Sequence, residues 1–340
     1  RDLHSFPTRR SSDLVVLRSK VMVTSTLILT IAKMIIDILF IVLGVALVLY
    51  GADKLTEGAS ALARRMNVPE IIIGLTIVAA GTSAPELFVS LVSALNDTPD
   101  MAVGNVVGSN TMNCMLIVGC AAMVAPMIIS PSTVKKDIPF SVLASVLLIL
   151  LAFDHFMSRM DGIILLIGFA VFMAYTLMQA KKGSSEAVKE SSPVWKNLLF
   201  LVFGLAGLVV GSNLFVDSAS DVALTLGISE GVVGLTIVAG GTSLPELATS
   251  VVAARKGQSA IAIGNVIGSN VFNILLILGL TSTISPLEIE GITTIDMAVM
   301  LLSVVLVWLF SRTRYTVERW EGGLLVGLYL LYVGWLITSL

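Results

Sequence analysis

Residues 74–86 read GLTIVAAGTSAPE, and residues 234–246 read GLTIVAGGTSLPE. A second motif, GNVVGSN at 104–110, returns as GNVIGSN at 264–270. Every matched pair is offset by 160, and 26 of the 46 positions from Gly74 to Gly119 are identical to their counterparts without a gap. Shared apolar composition does not produce a common register, so the chain carries an internal repeat. Both copies lie in apolar runs, and each run is interrupted by glycine, serine, proline and a glutamate.

The surrounding composition says what medium those runs inhabit. Of 340 residues 56% are hydrophobic and only 13% charged, against about 25% charged in a soluble domain. That excludes a water-soluble enzyme, and the net charge of −2 gives no support to nucleic-acid binding. A spanning helix needs about 20 apolar residues, and apolar runs fall near 35–63, 70–95, 101–126, 134–152, 160–180, 197–225, 231–254, 260–284, 292–311 and 322–339. The expected fold is an all-α integral membrane protein of ten transmembrane helices, built as a five-helix repeat at 34–180, a polar linker at 181–196 (KKGSSEAVKESSPVWK) and a second five-helix repeat at 197–340. Five spans per half is odd, so the second half enters the membrane upside down relative to the first. Charges agree: Lys and Arg gather after odd-numbered spans (Arg64, Arg65, Lys135, Lys136, Lys181, Lys182, Arg255, Lys256, Arg312), while Asp97, Asp100, Asp154, Asp161, Glu288 and Glu290 follow even-numbered ones. The positive-inside rule puts the linker in the cytoplasm and both termini outside. Residues 1–33 are set apart as a non-native or disordered tail, because RDLHSFPTRRSSDL resembles translated sequencing-adapter sequence; Met34 is a sensible native start.

Glu86 and Glu246 fall inside the second and seventh spans. A carboxylate at that depth costs several kcal/mol unless paired, hydrated or bound to a cation, which makes it a functional-site candidate. Pro85 and Pro245 each remove an amide donor, and Gly81 and Gly241 loosen the preceding turn, so each span is expected to break into half-helices with free carbonyls. The plainer alternative is a capping box, since Ser83 and Glu86, like Ser243 and Glu246, match S-x-x-E. Gly104-x-x-x-Gly108 and Gly264-x-x-x-Gly268 have an equally plain alternative as close-packing faces. Ser109 with Asn113, and Ser269 with Asn273, are spaced i, i+4 and project oxygens from one helical face. Such an all-oxygen set suits calcium or sodium; zinc or copper would call for His or Cys, and the histidines are His4 and His155, both elsewhere. Cys114 and Cys120 read as small buried hydrophobes. Asp53, Glu57, Asn213, Asp217 and Asp221 read as structural or access-path residues, and Glu70 and Glu230 as helix-dipole partners.

Together GTSAPE with GNVVGSN, and GTSLPE with GNVIGSN, resemble the two alpha repeats of the calcium/cation antiporter superfamily, in particular the prokaryotic sodium/calcium exchangers. The resemblance spans about 300 residues. It implies ten transmembrane helices around four mid-membrane ion sites, and a secondary active antiporter, not an enzyme. Glu86 and Glu246 become the central carboxylate ligands, Thr82, Ser83, Thr242, Ser243, Ser109 and Ser269 hydroxyl or carbonyl ligands, Asn113 and Asn273 the remaining polar positions, and Ala79 and Ala239 backbone-carbonyl ligands. Some family members have Asp where Asn273 stands. It further implies that spans one and six slide across the rest of the bundle. The expected partners are calcium and sodium ions and the lipid bilayer, with no cofactor, nucleic acid or obligatory protein partner; the expected location is the cell membrane. Calcium would neutralise the two glutamates and three sodium ions would leave one net positive charge, so exchange would be electrogenic. Proton/calcium antiport is the alternative within transport. A cation channel is the alternative outside it, disfavoured because channels build pores by rotational symmetry.

Overall fold

The computed structural model describes residues 9–182, 193–227 and 239–339. Most of the linker (183–192), the start of the seventh span with Glu230 and Gly234 (228–238), the tail's first eight residues and residue 340 lie outside the described residues. The helices, in chain order, are α1 (Arg9–Met66), α2 (Glu70–Thr82), α3 (Ala84–Leu95), α4 (Pro99–Val124), α5 (Ile138–Leu151), α6 (Arg159–Lys182), α7 (Val194–Thr225), α8 (Ala239–Thr242), α9 (Leu244–Arg255), α10 (Ser259–Ile284), α11 (Thr294–Arg312) and α12 (Arg319–Ser339). Among the described residues seven are long and apolar enough to cross a bilayer, and α2 with α3, bent by 46°, counts as an eighth where the pair is taken as one broken span. The span expected at 134–152 is the shorter α5 behind a π-helical turn, Thr133–Asp137. The span expected at 231–254 is seen from Ala239 onward as α8 and α9. Residues 9–33, set apart on sequence, are helical and continuous with α1.

Inversion of the halves is written in four two-residue strands. β1 (Met127–Ile128) and β3 (Leu287–Glu288) follow the third helical segment of their repeats, and β2 (Phe156–Met157) and β4 (Thr316–Val317) follow the fourth. Pairing is crossed and antiparallel: β1 with β4, and β2 with β3. Equivalent loops of the two repeats are thus not paired with each other; the loop after the third segment of one meets the loop after the fourth segment of the other, the crossed arrangement that an inverted repeat produces.

Burial separates an inner layer from an outer one. The most apolar windows of α4 and α10 are 78% and 94% buried, whereas those of α1 and α7 are 17% and 28% buried. The inner position of α4 and α10 suits their sequence, since each carries the polar GNVxGSN motif that lipid would not tolerate. α1 and α7 are the longest helices; the 39 residues of Ile28–Met66 rise about 58 Å, well beyond a hydrocarbon core of about 30 Å. They touch backbone to backbone. A Cβ on Gly44 would sit 2.7 Å from the Gly211 carbonyl, and one on Gly51 2.7 Å from that of Gly204, so no larger residue fits without separating the helices. These pairs exchange under the 160-residue offset, and so do Gly119 against Gly322 and Gly162 against Gly279. Gly264 and Gly268 do close-pack, their virtual Cβ atoms 2.9 Å from Ile71 O and 2.8 Å from Leu75 O.

Gly204→Val places a side chain 2.6 Å from the Leu55 amide nitrogen. It is expected to destabilise the chain by about 1–3 kcal/mol, read as a lower thermal midpoint of the purified protein. Gly168→Ala, whose Cβ meets Leu275 at an ordinary 3.4 Å, should not destabilise the chain and should raise its stability by up to about 1 kcal/mol.

Candidate functional site

The two spans that carry the glutamates break at serine. Ser83 has φ −83° and ψ 8°, and Ser243 has φ −91° and ψ 7°, both outside the helical well. Pro85 and Pro245 then sit in the first turn of α3 and α9, where a missing N–H does no harm to the new helix. The missing donors would have bonded Gly81 O and Gly241 O; Gly241 O instead accepts the Ser212 hydroxyl at 2.6 Å. Glu86 and Glu246 thus occupy the first turns of two half-helices, where the helix dipole favours negative charge.

The capping-box alternative fails on geometry. Neither Ser83 nor Ser243 makes a side-chain cap hydrogen bond. Each hydroxyl crosses to the other repeat: Ser83 Oγ donates to Glu246 Oε1 at 3.0 Å, and Ser243 Oγ donates to Glu86 Oε1 at 3.0 Å. Ser243 also approaches Ser109 Oγ at 3.2 Å, and Ser269 Oγ donates to Glu246 Oε1 at 3.5 Å. Both glutamates are 1% exposed, and neither belongs to an ion pair among the described residues. The second oxygen of each, Oε2, is buried without a hydrogen-bond partner among those residues. An unpartnered buried carboxylate oxygen is costly, so this arrangement makes sense only where something positive can approach it.

The other expected residues gather around this pair. Thr82 Oγ1 donates to Asn265 Oδ1 at 3.0 Å and lies 3.4 Å from Ala79 O, which also accepts the Ser83 N–H at 2.9 Å. Ala239 and Thr242 begin and end the short α8. Asn113 and Asn273, one turn beyond Ser109 and Ser269, give their Nδ2 groups to Asn270 and Asn110, and their Oδ1 atoms are buried with no hydrogen-bond partner among the described residues. A π-helical turn begins at Asn113 in α4 and at Phe272, beside Asn273, in α10; π-bulges are frequent at functional sites. Among the described residues, no group of three or more His, Cys, Asp or Glu side chains is placed to hold a metal ion; the groups gathered here are two carboxylates with hydroxyl, amide and carbonyl oxygens. By contrast Asp53 pairs with Lys256 at 2.7 Å, Glu57 with Lys54 at 2.8 Å and Asp221 with Lys33 at 2.9 Å. Glu70, at the start of α2, accepts from Ser60 and lies 3.7 Å from Arg64.

Residues 36–178 and 196–338 each match the sodium/calcium exchanger protein family, two stretches themselves offset by 160. The chain belongs to that family. It is 32% identical over 333 residues to the sodium/calcium exchanger MaX1 of Methanosarcina acetivorans, covering 84% of this chain and 93% of that one. It is 37% identical over 298 residues to the inner membrane protein YrbG of Escherichia coli strain K12, covering 84% and 92%. Among solved structures it resembles the sodium–calcium exchanger NCX_Mj soaked with sodium and strontium, with a TM-score of 0.79, 36% identity, and 88% and 98% of the two chains covered. The protein is a multi-pass membrane transporter and not an enzyme.

In this exchanger-family chain, sequence reasoning passed over four asparagines and two serines. Asn105 Nδ2 donates to the Glu86 carbonyl at 3.1 Å and to Ser90 Oγ at 2.9 Å. Asn265 does the same for Glu246 and Ser250 at 3.4 and 3.1 Å. These contacts hold the backbone of each glutamate against α4 or α10. The signal that could have found them was present, since Ser90, Asn105 and Asn110 all recur 160 residues later as polar groups in apolar surroundings.

Ser243→Ala removes the donor to Glu86 Oε1, the carboxylate's bonded oxygen. In buffer free of calcium and sodium it should lower stability by about 1–3 kcal/mol, measured by thermal unfolding. Ser83→Ala should cost less, because Ser269 still reaches Glu246 Oε1.

Proposed function

We propose that the chain is a secondary active antiporter that exchanges sodium for calcium across the membrane by alternating access. The observation that carries this reading is the buried acid pair Glu86 and Glu246. Each acid is tied to the serine of the opposite repeat, and each keeps one oxygen unpartnered among the described residues. With the unpartnered amide oxygens of Asn113 and Asn273, the surrounding hydroxyls and the carbonyls of Ala79 and Ala239, they form a hard-cation donor set. Calcium takes six to eight oxygens in flexible geometry, whereas magnesium holds its waters tightly. The ligands in this reading are Ala79, Thr82, Ser83, Glu86, Ser109 and Asn113 from the first repeat, and Ala239, Thr242, Ser243, Glu246, Ser269 and Asn273 from the second.

Coupling follows from sharing one set of oxygens: sodium and calcium compete for it and do not fill it together. A single calcium ion neutralises the two acids. Three sodium ions in its place leave a net positive charge, so the exchange moves charge, and sodium entering down its gradient drives calcium out. The glycine contacts that bring α1 and α7 backbone to backbone support their moving as one body past the buried α4 and α10. The charge asymmetry of the loops supports a cytoplasmic linker and external termini in the cell membrane. The transported ions are the only small-molecule partners this mechanism requires, with no resident cofactor and no obligatory protein partner. The likeness to MaX1, a sodium/calcium exchanger, and to NCX_Mj, a sodium–calcium exchanger soaked with sodium and strontium, supports sodium over protons as the driving ion.

The test is calcium uptake into proteoliposomes. An outward sodium gradient should drive it and a proton gradient alone should not. Uptake that follows pH and ignores sodium would replace this reading with proton exchange, and calcium flux with no counter-ion requirement would replace it with a channel. Glu86→Ala and Glu246→Ala should each reduce sodium-driven uptake at least about a hundredfold, since each removes a carboxylate from the desolvated site, while the protein still elutes as a folded species.

A further inference from the structure

Asn110 and Asn270 precede Asn113 and Asn273 by three residues and are 1% and 2% exposed. Only one end of an amide can bind a cation: the oxygen accepts and the NH2 group repels. Which end of Asn113 and Asn273 faces a cation is therefore a property to be explained. A backbone carbonyl can only accept, so the group of Asn110 that lies 3.2 Å from Asn270 O is Nδ2. That fixes Asn110 Oδ1 as the acceptor for Asn273 Nδ2 at 3.0 Å. With its NH2 directed to Asn110, Asn273 turns Oδ1 the other way, where the oxygen is buried without a hydrogen-bond partner among the described residues. The second chain of bonds is parallel: Asn270 Nδ2 donates to Cys114 Sγ at 2.9 Å, and Asn270 Oδ1 accepts from Asn113 Nδ2 at 3.0 Å. Asn113 Oδ1 is likewise buried without a hydrogen-bond partner among the described residues.

We propose that Asn110 and Asn270 are positioning residues of the cation site, which touch no ion and instead fix the amides of Asn273 and Asn113 with their oxygens toward it. The proposal rests on the exchange reading above and deepens it. The control is crossed: an asparagine on α4 orients a ligand on α10, and the reverse. Each ligand is thereby oriented only when the two repeats are packed together. Without Asn110, the two ends of Asn273 are no longer distinguished by their surroundings, and its NH2 can face a cation.

A double-mutant cycle on the purified full chain tests this. Calcium half-saturation is read both from the calcium-dependent rise in thermal midpoint and from labelled-calcium uptake. Asn110→Leu should raise the half-saturation about tenfold in an otherwise unaltered chain. In an Asn273→Leu background it should raise it less than about twofold, and in an Asn113→Leu background again about tenfold. The ion-free thermal midpoint reports folding separately. Where Asn110→Leu does not yield folded protein, Asn270→Leu against Asn113→Leu is the same cycle in mirror image. An unchanged half-saturation, or the same rise in the Asn273→Leu and Asn113→Leu backgrounds, overturns the positioning role and leaves the exchange reading intact. An unaltered chain that shows neither a calcium-dependent shift nor calcium uptake overturns the exchange reading and this inference with it.

Discussion

The structure depends on one electrostatic constraint, that two carboxyl groups sit in a membrane protein at 1% exposure outside any ion pair among the described residues. Water is excluded and lipid offers nothing, so the protein must supply compensation from its own dipoles. It does so by exchange between the repeats. The break in one half provides the serine that bonds the acid in the other. Helix N-termini, π turns and amide-rich helices α4 and α10 then cluster around the same point, each adding partial charge or oriented oxygen where a full charge is buried.

The rest of the architecture follows from bringing two inverted halves to that point. Four short strands brace loops of one repeat against non-equivalent loops of the other. Glycine pairs related by the same offset allow α1 and α7, α4 and α12, and α6 and α10 to approach at backbone distance. Symmetry is not complete. Lys256 reaches Asp53 at 2.7 Å, whereas the counterparts of these residues are Asn96 and Asn213, which carry no charge. Ser212 bonds Gly241 O, whereas its counterpart Ala52 has no hydroxyl to offer Gly81. The two outer helices are thus held to the core by different chemistry although they share an ancestral pattern of spacing.

Much of this was legible in the sequence because the decisive features are chemically conspicuous. A repeated glutamate in an apolar run, a proline beside it and a 160-residue offset need no structure to be noticed. The half-helices and the gathering of polar oxygens around the two acids follow from them. What could not be read was who bonds whom. Ser83 and Glu86 stand at capping-box spacing, and only three dimensions show that each prefers the other repeat. Gly44, Gly51, Gly204 and Gly211 carry no chemical label, and seven-residue spacing becomes meaningful only when two helices are seen to cross on it. Asn110 and Asn270 lay inside a quoted motif, yet the direction of an amide is decided by a neighbour 160 residues away.

The crossed serine bond also sets an order of events during synthesis. Glu86 and Ser243 are separated by 157 residues, which at about 5–20 residues per second amounts to about 8–30 s of chain growth. Throughout that interval the first repeat holds its acid without the hydroxyl that will later bond it. Folding surveillance in the membrane therefore meets a first half that is chemically unfinished, and a ribosome stalled anywhere between the two motifs leaves it so.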